Sequence, residues 1–341
     1  MRTSQPVLAL TSGDPCGVGP EVILKALRGA VLSNVRVMVI GDLAVFEQTA
    51  RTLRLRLPRW VVRSVKEFCQ GSSVRQSVSP SDSQMTFLNL AHPWRFIPGT
   101  TSAQAGSASL AYLDVAIHLW RQGLTSAIVT APVTKWVIER TGRRFVGQTE
   151  YLAKRLRASF VVMMFVSPRL RVALLTRHLA LRKVPSRVTS TLVRQTTLVT
   201  VEALRRWFGI QEPRLAVCGL NPHAGEAGLF GDEERRVLLP VLRAFKHDGL
   251  VLDGPFAADS FFVDPRGYDA VICWYHDQGL IPFKLMARDR GCQLSLGLPV
   301  VRTSPDHGTA LDIAGKGLAN PGSMRYALEL AAKLARKVTN R

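Results

Sequence analysis

Long apolar runs, paired cysteines and acidic residues are all scarce in this chain of 341 residues, and each scarcity excludes a class of protein. The longest uninterrupted apolar run, Phe160 to Val166, falls far short of the roughly 20 residues that a spanning helix needs. No membrane partner is expected. The first apolar stretch gives way at once to Gly, Asp and Pro, unlike a secretory signal with its apolar region of roughly 7–15 residues. A cytoplasmic location is expected. Five cysteines, Cys16, Cys69, Cys218, Cys273 and Cys292, are odd in number and form no C-x-x-C pair; reduced, mostly buried thiols are expected rather than a disulfide framework or a zinc ribbon. Asp and Glu number 25 against 45 Lys and Arg, a net charge of +20. Such a balance often serves nucleic acid. Here the basic residues are dispersed, and the densest stretch, Arg51 to Arg63, alternates them with apolar residues as a half-buried strand or helix face does. No motif supports a nucleic-acid partner, and a basic field also suits an enzyme whose ligands are small anions.

The chain is 47% hydrophobic and 21% charged, which excludes disorder and supplies one large or two medium folded units. Short apolar runs alternate with amphipathic stretches, the pattern of an α/β protein with a mostly parallel sheet. Strands are expected at Val7–Thr11, Val35–Ile40, Ser126–Thr130, Phe160–Val166, Arg171–Leu175, Arg214–Cys218, Ala270–Trp274 and Leu294–Val301. Helical spacing of apolar residues marks Pro20–Arg28, Ala103–Arg121, Thr189–Phe208, Glu233–Lys246 and Ser323–Val338. The Ser-rich segment Gln70–Gln84 reads as a surface loop, and neither an internal repeat nor a low-complexity linker is present.

Three histidines share one context. His178 follows VALLT, His223 follows LAVCGLN and His276 follows AVICWY, so each lies just past the carboxyl end of an expected strand, the edge where open α/β sheets bind ligands. One histidine there is commonly structural; three in the same relative place point to a catalytic divalent metal with open coordination positions. The segment NPHAGEAGLFGDEE around His223 is rich in small residues, as tight turns near a site or an ordinary loop would be, with Asp232 placed to cap the following helix. In YHDQGLIPFK, Asp277 and Lys284 are spaced either as proton carriers beside the metal or as a salt bridge. Near the start, TSGDPCGVGPE brings a Gly-rich turn onto a helix N-terminus, a possible anion cradle; its spacing matches neither a dinucleotide fingerprint nor a P-loop.

The segment HGTALDIAGKGLANP resembles the adenosine-binding loop of the β-decarboxylating dehydrogenases, the isocitrate and isopropylmalate dehydrogenase group, which bind NAD without a Rossmann fingerprint. Together with TSGDPCGVGPE, GQTEYL, LLTRHLALRKVP, GLNPHAGEAGLFGDEE, GPFAADSFF, YHDQGLIPFK and LGLPVVRTSPDHGTALDIAGKG, in order from residue 11 to about 320, it resembles the 4-hydroxythreonine-4-phosphate dehydrogenase family of pyridoxal phosphate biosynthesis. The resemblance implies two αβα lobes with a cleft between them, similar to isocitrate and isopropylmalate dehydrogenases. Residues 1–130 plus 305–341 would form a first lobe carrying the NAD loop, and residues 131–304 a second with the metal ligands and dimer contacts. It implies oxidation of a secondary alcohol by NAD or NADP followed by loss of CO₂, in a homodimer with its active site at the subunit interface. The substrate would be a small phosphorylated hydroxy amino acid, 4-phosphohydroxy-L-threonine. His178, His223 and His276 would hold the metal (Zn, Mg or Co), one of them across the dimer. Asp259, Asp277 and Lys284 are the candidates for proton transfer. Thr149, Lys284 and Arg302 would meet the substrate phosphate, with Gln148 and Gln293 also at the substrate, and His307, Gly308, Thr309, Asp312 and Asn320 would meet the cofactor.

Two positions depart from the family pattern: Gln148 stands where the family usually has His in GHTE, and Gln293 where it usually has Asn before T-L-G-L-P. Glutamine hydrogen-bonds but shuttles no proton at neutral pH. The alternatives are therefore a paralogue acting on a four-carbon sugar-acid phosphate or a cyclic dihydrodiol dicarboxylate, and a ligand-binding regulator without catalysis.

Overall fold

The computed structural model describes residues 5–32, 34–65 and 85–339. Cys69 and the Ser-rich segment Gln70–Gln84 lie outside them. The chain forms two compact α/β units: residues 1–158 with 298–341, and residues 159–297.

In the first unit six strands are all parallel, in the order β3 (Val61–Ser64), β4 (Met85–Asn89), β2 (Arg36–Gly41), β1 (Val7–Thr11), β5 (Ala127–Thr130) and β12 (Val301–Pro305). A parallel sheet is covered on both faces, so its central strands read as continuous apolar runs. Leu8, Leu10 and Ile40 are accordingly fully buried, alongside Phe46, Phe87 and Tyr112. The long helix Ala103–Arg121 is capped by Ser102, whose hydroxyl accepts from the Ala105 amide at 3.1 Å.

The first unit reaches beyond the boundaries expected from the sequence, taking in 131–158 and 298–304. Contacts explain why. The helix Lys135–Glu139 packs so closely on Ala103–Arg121 that a Cβ at Gly106 would lie 2.6 Å from the Val137 carbonyl oxygen, and Thr149 is hydrogen-bonded to Arg302 in β12.

In the second unit the strand order is β11 (Cys292–Leu296), β6 (Val162–Val166), β7 (Arg171–Leu174), β10 (Ala270–Cys273), β8 (Arg214–Cys218) and β9 (Val251–Phe256). Only β6 runs against its neighbours; β7, β10, β8 and β9 are parallel. Phe165, Val172, Leu174, Cys218, Cys273 and Phe283 belong to one apolar cluster. Cys16, Cys218, Cys273 and Cys292 are buried.

The expected single strand Leu294–Val301 is two strands, β11 and β12. Gly297 separates them at φ +80, with its Cα so close to β6's approach that a Cβ would sit 2.2 Å from the Phe160 carbonyl oxygen. The strand β9 was not expected, because VLDGPF contains Gly-Pro; it is the edge of its sheet and carries a register shift against β8, where that sequence is tolerated. The helix His276–Ala287 likewise contains Pro282. Asp232 stands at the cap position of the helix that starts at Glu233, its carbonyl accepting from the Arg236 amide at 2.8 Å, while its carboxylate meets the Arg236 side chain at 3.5 Å. Among the described residues no helix is long and apolar enough to cross a membrane.

Candidate functional site

The candidate residues fall into two sets, one in each unit. In the second unit β7, β10 and β8 are adjacent and parallel, so their carboxyl ends lie side by side, and each leads to one of the three histidines: Leu174 to His178, Cys273 to His276, Cys218 to His223. The His178 and His276 rings lie 5.7 Å apart. His276 Nδ1 meets the Asp277 carboxylate at 2.7 Å, which leaves the other ring nitrogen for a metal, as in carboxylate–histidine metal ligands. Asp277 is thereby an orienting group for His276. His223 Nδ1 stands 3.6 Å from Glu226.

A cleft of about 710 Å³ at the same strand ends is lined by His223, Asp259, Asp277, Tyr275, Ile281 and Leu285, among others. Burial pushes the Tyr275 hydroxyl above the ordinary tyrosine range, and the Asp277 charge raises it further. Gln278 braces this mouth: its Oε1 accepts from the Trp274 amide at 2.8 Å and its Nε2 donates to the Gly219 carbonyl at 2.6 Å, joining the ends of β10 and β8. Lys284 is exposed on the same helix as His276. Gln293 is buried in β11, its Nε2 donating to Ser295 at 3.0 Å. Among the described residues, no three His, Cys, Asp or Glu side chains of one chain converge on a metal-sized point. The donors themselves fit a divalent cation: imidazoles at neighbouring strand ends, one held through Nδ1 by a carboxylate.

His223 opens an unusual turn. Residues His223, Ala224, Gly225, Glu226 and Ala227 all have positive φ, at 53, 55, 83, 39 and 56°. Left-handed helical backbone costs an L-residue roughly 1–2 kcal/mol, and four of these five are not glycine. Strain of this kind persists only where surrounding structure enforces it, and it clusters at functional sites.

In the first unit, Arg302 is buried on β12; its Nη2 donates to Thr130 at 2.6 Å and its Nη1 to Thr149 at 3.3 Å. Gln148, at the start of the helix Gln148–Leu156, donates from Nε2 to the Ala131 carbonyl at 3.0 Å. Its Oε1 is buried and has no partner among the described residues. A guanidinium, two hydroxyls and an open acceptor are thus gathered at the carboxyl end of β5.

The loop from His307 to Asn320 follows β12. His307 Nδ1 lies 2.9 Å from the Gly308 carbonyl, which makes Nε2 an acceptor; that atom is buried and has no partner among the described residues. A Cβ at Gly308 would meet nothing within 4 Å. A buried open acceptor beside unfilled space fits a hydroxyl-bearing cofactor. Asn320 accepts from the Gly322 amide at 2.8 Å at the start of the last helix, and Asp312 is exposed.

Two supports of this loop escaped the sequence reading. Lys25 Nζ donates to the carbonyls of Gly317 and Ala319 at 2.8 and 2.9 Å, while Glu21 accepts from the Ala319 amide at 2.9 Å. At the other end, Thr134 donates to Asp14 at 2.5 Å and bonds Thr309 at 3.2 Å. The anion cradle expected before the helix Gly19–Leu27 is filled by the loop itself, because the Val18 amide donates to the Thr309 carbonyl at 2.9 Å.

Burial pushes the Asp14 carboxyl above the ordinary aspartate range, although hydrogen bonds from Thr134 and the Cys16 amide pull it down. A carboxyl whose pKa is raised on folding costs stability as pH rises through its unfolded pKa, and in full above its folded pKa. Asp14→Asn keeps the shape and an acceptor for the Cys16 amide, so its melting temperature at pH 7 is expected to rise above that of the parent. The gain should shrink as pH falls toward 4; a lower melting temperature at pH 7 would contradict the reading.

The family model of the pyridoxal phosphate biosynthetic protein PdxA matches residues 33–331 of this chain. The chain belongs to the PdxA family. Within that family it is similar to the 4-hydroxythreonine-4-phosphate dehydrogenase of Desulforapulum autotrophicum, at 39% identity over 97% of this chain and 96% of the relative. It is also similar to the crystal structure of 4-hydroxythreonine-4-phosphate dehydrogenase from Klebsiella pneumoniae, with a TM-score of 0.81 at 35% identity, covering 97% of this chain and 99% of that one. A terephthalate 1,2-cis-dihydrodiol dehydrogenase from Burkholderia xenovorans LB400 is similar at 30% identity and a TM-score of 0.62, covering 96% of this chain and 98% of that one. The α/β fold expected of a PdxA protein is the fold observed.

Proposed function

We propose that this chain is an NAD(P)- and metal-dependent dehydrogenase that oxidises and decarboxylates 4-phosphohydroxy-L-threonine to 3-amino-2-oxopropyl phosphate in pyridoxal 5'-phosphate biosynthesis. The observation that carries the reading is the adjacency of β7, β10 and β8, which sets His178, His276 and His223 at neighbouring strand ends. These histidines are the proposed ligands, with one of the set supplied by a second copy of the chain in a homodimer. When bound, a divalent cation (Zn, Mg or Co) supplies Lewis-acid polarisation and positive charge where negative charge develops. When bound, NAD or NADP supplies the hydride acceptor.

The chain's own residues do the rest. Asp277 fixes the His276 ring through Nδ1. Asp259, exposed in the cleft with His223, takes the substrate hydroxyl proton, and Lys284 returns a proton after CO₂ has left. Arg302, with Thr149, meets the phosphate, for which a guanidinium offers paired donors. Gln148 Oε1, buried without a partner among the described residues, accepts from the substrate's ammonium or hydroxyl group, and Gln293, held by Ser295, is proposed as a further substrate contact. His307 Nε2 accepts from a cofactor hydroxyl, with Gly308, Thr309, Asp312 and Asn320 shaping the loop around it.

The two glutamines, and the similarity to a dihydrodiol dehydrogenase, support a second reading: the same oxidation on a different hydroxy acid. A parallel assay separates them, giving the purified chain NAD, a divalent metal and either 4-phosphohydroxy-L-threonine, a four-carbon sugar-acid phosphate or a cyclic dihydrodiol dicarboxylate, each with a chelated control. Chelator-sensitive NADH from the first substrate is expected. NADH from another alone would replace the substrate, and NADH from none, with metal bound, would leave a regulator. Gln148→His should raise turnover of the phosphorylated hydroxythreonine by about tenfold, the worth of one hydrogen bond of about 1.4 kcal/mol; a loss would point to a different natural substrate.

A further inference from the structure

The left-handed turn that begins at His223 needs something to hold it, and the structure assigns that task to Glu234. We infer that Glu234 is the positioning residue for His223, acting through Asn221 rather than touching substrate or metal; the inference rests on the metal reading above. Glu234 is buried, at 4% exposure. Its Oε1 accepts from the Asn221 amide at 2.8 Å and its Oε2 from Asn221 Nδ2 at 3.0 Å, so the carboxylate grips both backbone and side chain of the residue two before His223. Asn221 Nδ2 also donates to Glu233 at 2.8 Å, and the Asn221 carbonyl accepts from the Ala224 amide at 3.1 Å, closing the start of the turn.

The turn is moulded onto the same carboxylate. A Cβ at Gly225 would stand 2.7 Å from Glu234 Oε2, and one at Gly219 would stand 3.1 Å from Oε1 and 2.6 Å from the Ala224 Cα. Glycine at these two positions lets the backbone close around Glu234 from both sides. Short backbone bonds within the turn run from the Ala224 amide to the Asn221 carbonyl and from the Phe230 amide to the Gly225 carbonyl, and the buried carboxylate anchors the turn at Asn221, so it sets the direction in which His223 leaves the chain. Groups hydrogen-bonded directly to a metal ligand typically change metal affinity 10–100-fold when replaced; Glu234 acts on His223 through Asn221.

The test is titration of Zn²⁺ or Co²⁺ into the metal-free full chain, with melting temperature and amide hydrogen exchange of the 221–231 segment measured on the same samples. Glu234→Gln keeps volume but presents an amide nitrogen where Asn221 needs an acceptor. It is expected to weaken metal binding 10–100-fold and to speed exchange in that segment without metal. Asn221→Ala, which keeps the backbone bond to Glu234, should weaken binding less and serves if Glu234→Gln does not fold. Affinity and exchange equal to the parent in the variants that fold would overturn the positioning role. His223→Ala separates the two layers: if it binds metal as the parent does, the metal reading falls and this inference with it. If it loses metal while Glu234→Gln does not, only the positioning role falls.

Discussion

His223→Ala is expected to lower metal-dependent NADH formation by at least about 10³-fold, while the protein still folds. The Lewis-acid contribution of a catalytic cation is several kcal/mol, and each 1.4 kcal/mol is about a factor of ten. Folding should survive because the His223 side chain is 70% exposed and lines an open cleft rather than the apolar cluster beneath it. Among the described residues its polar contact is the 3.6 Å approach to Glu226, itself exposed, so removing the side chain deletes no buried hydrogen bond there. Steady-state NADH formation across a metal titration, with a melting curve on the same sample, checks both halves. Full activity would remove His223 from the ligand set.

Arg302→Lys should raise KM for the phosphorylated substrate by about 10–100-fold although the charge is kept. The guanidinium is 3% exposed and spans Thr130 and Thr149 with separate nitrogens. Lysine offers one nitrogen and cannot bridge both hydroxyls while meeting a phosphate. Loss of a single hydrogen bond to a charged group costs about 1.5–3 kcal/mol, which corresponds to the expected range. The control is 4-hydroxythreonine without its phosphate: parent and variant should handle it equally if Arg302 acts on the phosphate. An equal loss on both substrates would show that Arg302 supports the fold of β12 rather than substrate binding.

The sequence made strand ends legible where an apolar run stops at a polar residue. VALLT before His178, LAVC before His223 and AVIC before His276 are short, fully buried parallel strands, and the histidines fall past them as expected. What the pattern could not give is that β10 lies between β7 and β8, an order set by packing across the sheet, which makes neighbours of three residues spread over 98 positions. Supports built from distant bonds were hidden for the same reason. Lys25 reaches carbonyls 292 and 294 residues away, and in the sequence it is merely a charge on a helix.

Glu234 shows a different limit. In GDEE it reads as an ordinary acidic residue at a helix start, and only burial and the two bonds to Asn221 distinguish it from its neighbours Asp232 and Glu233. Asp277 was legible as a candidate proton carrier, while its 2.7 Å bond to the His276 ring could be seen only in the structure. The helix His276–Ala287 was obscured by Gly279 and Pro282, residues that propensity places in loops. Close packing is the reason for the first: a Cβ at Gly279 would lie 2.5 Å from Val172.

The proposed reaction is an oxidation coupled to loss of CO₂ that depends on a divalent cation. Its most direct test is to measure NADH and CO₂ together from 4-phosphohydroxy-L-threonine and NAD, with and without a chelator. One CO₂ is expected for each NADH, both abolished by chelation and restored by added metal. NADH without CO₂, or both undiminished by a chelator shown to strip the protein of metal, would contradict it.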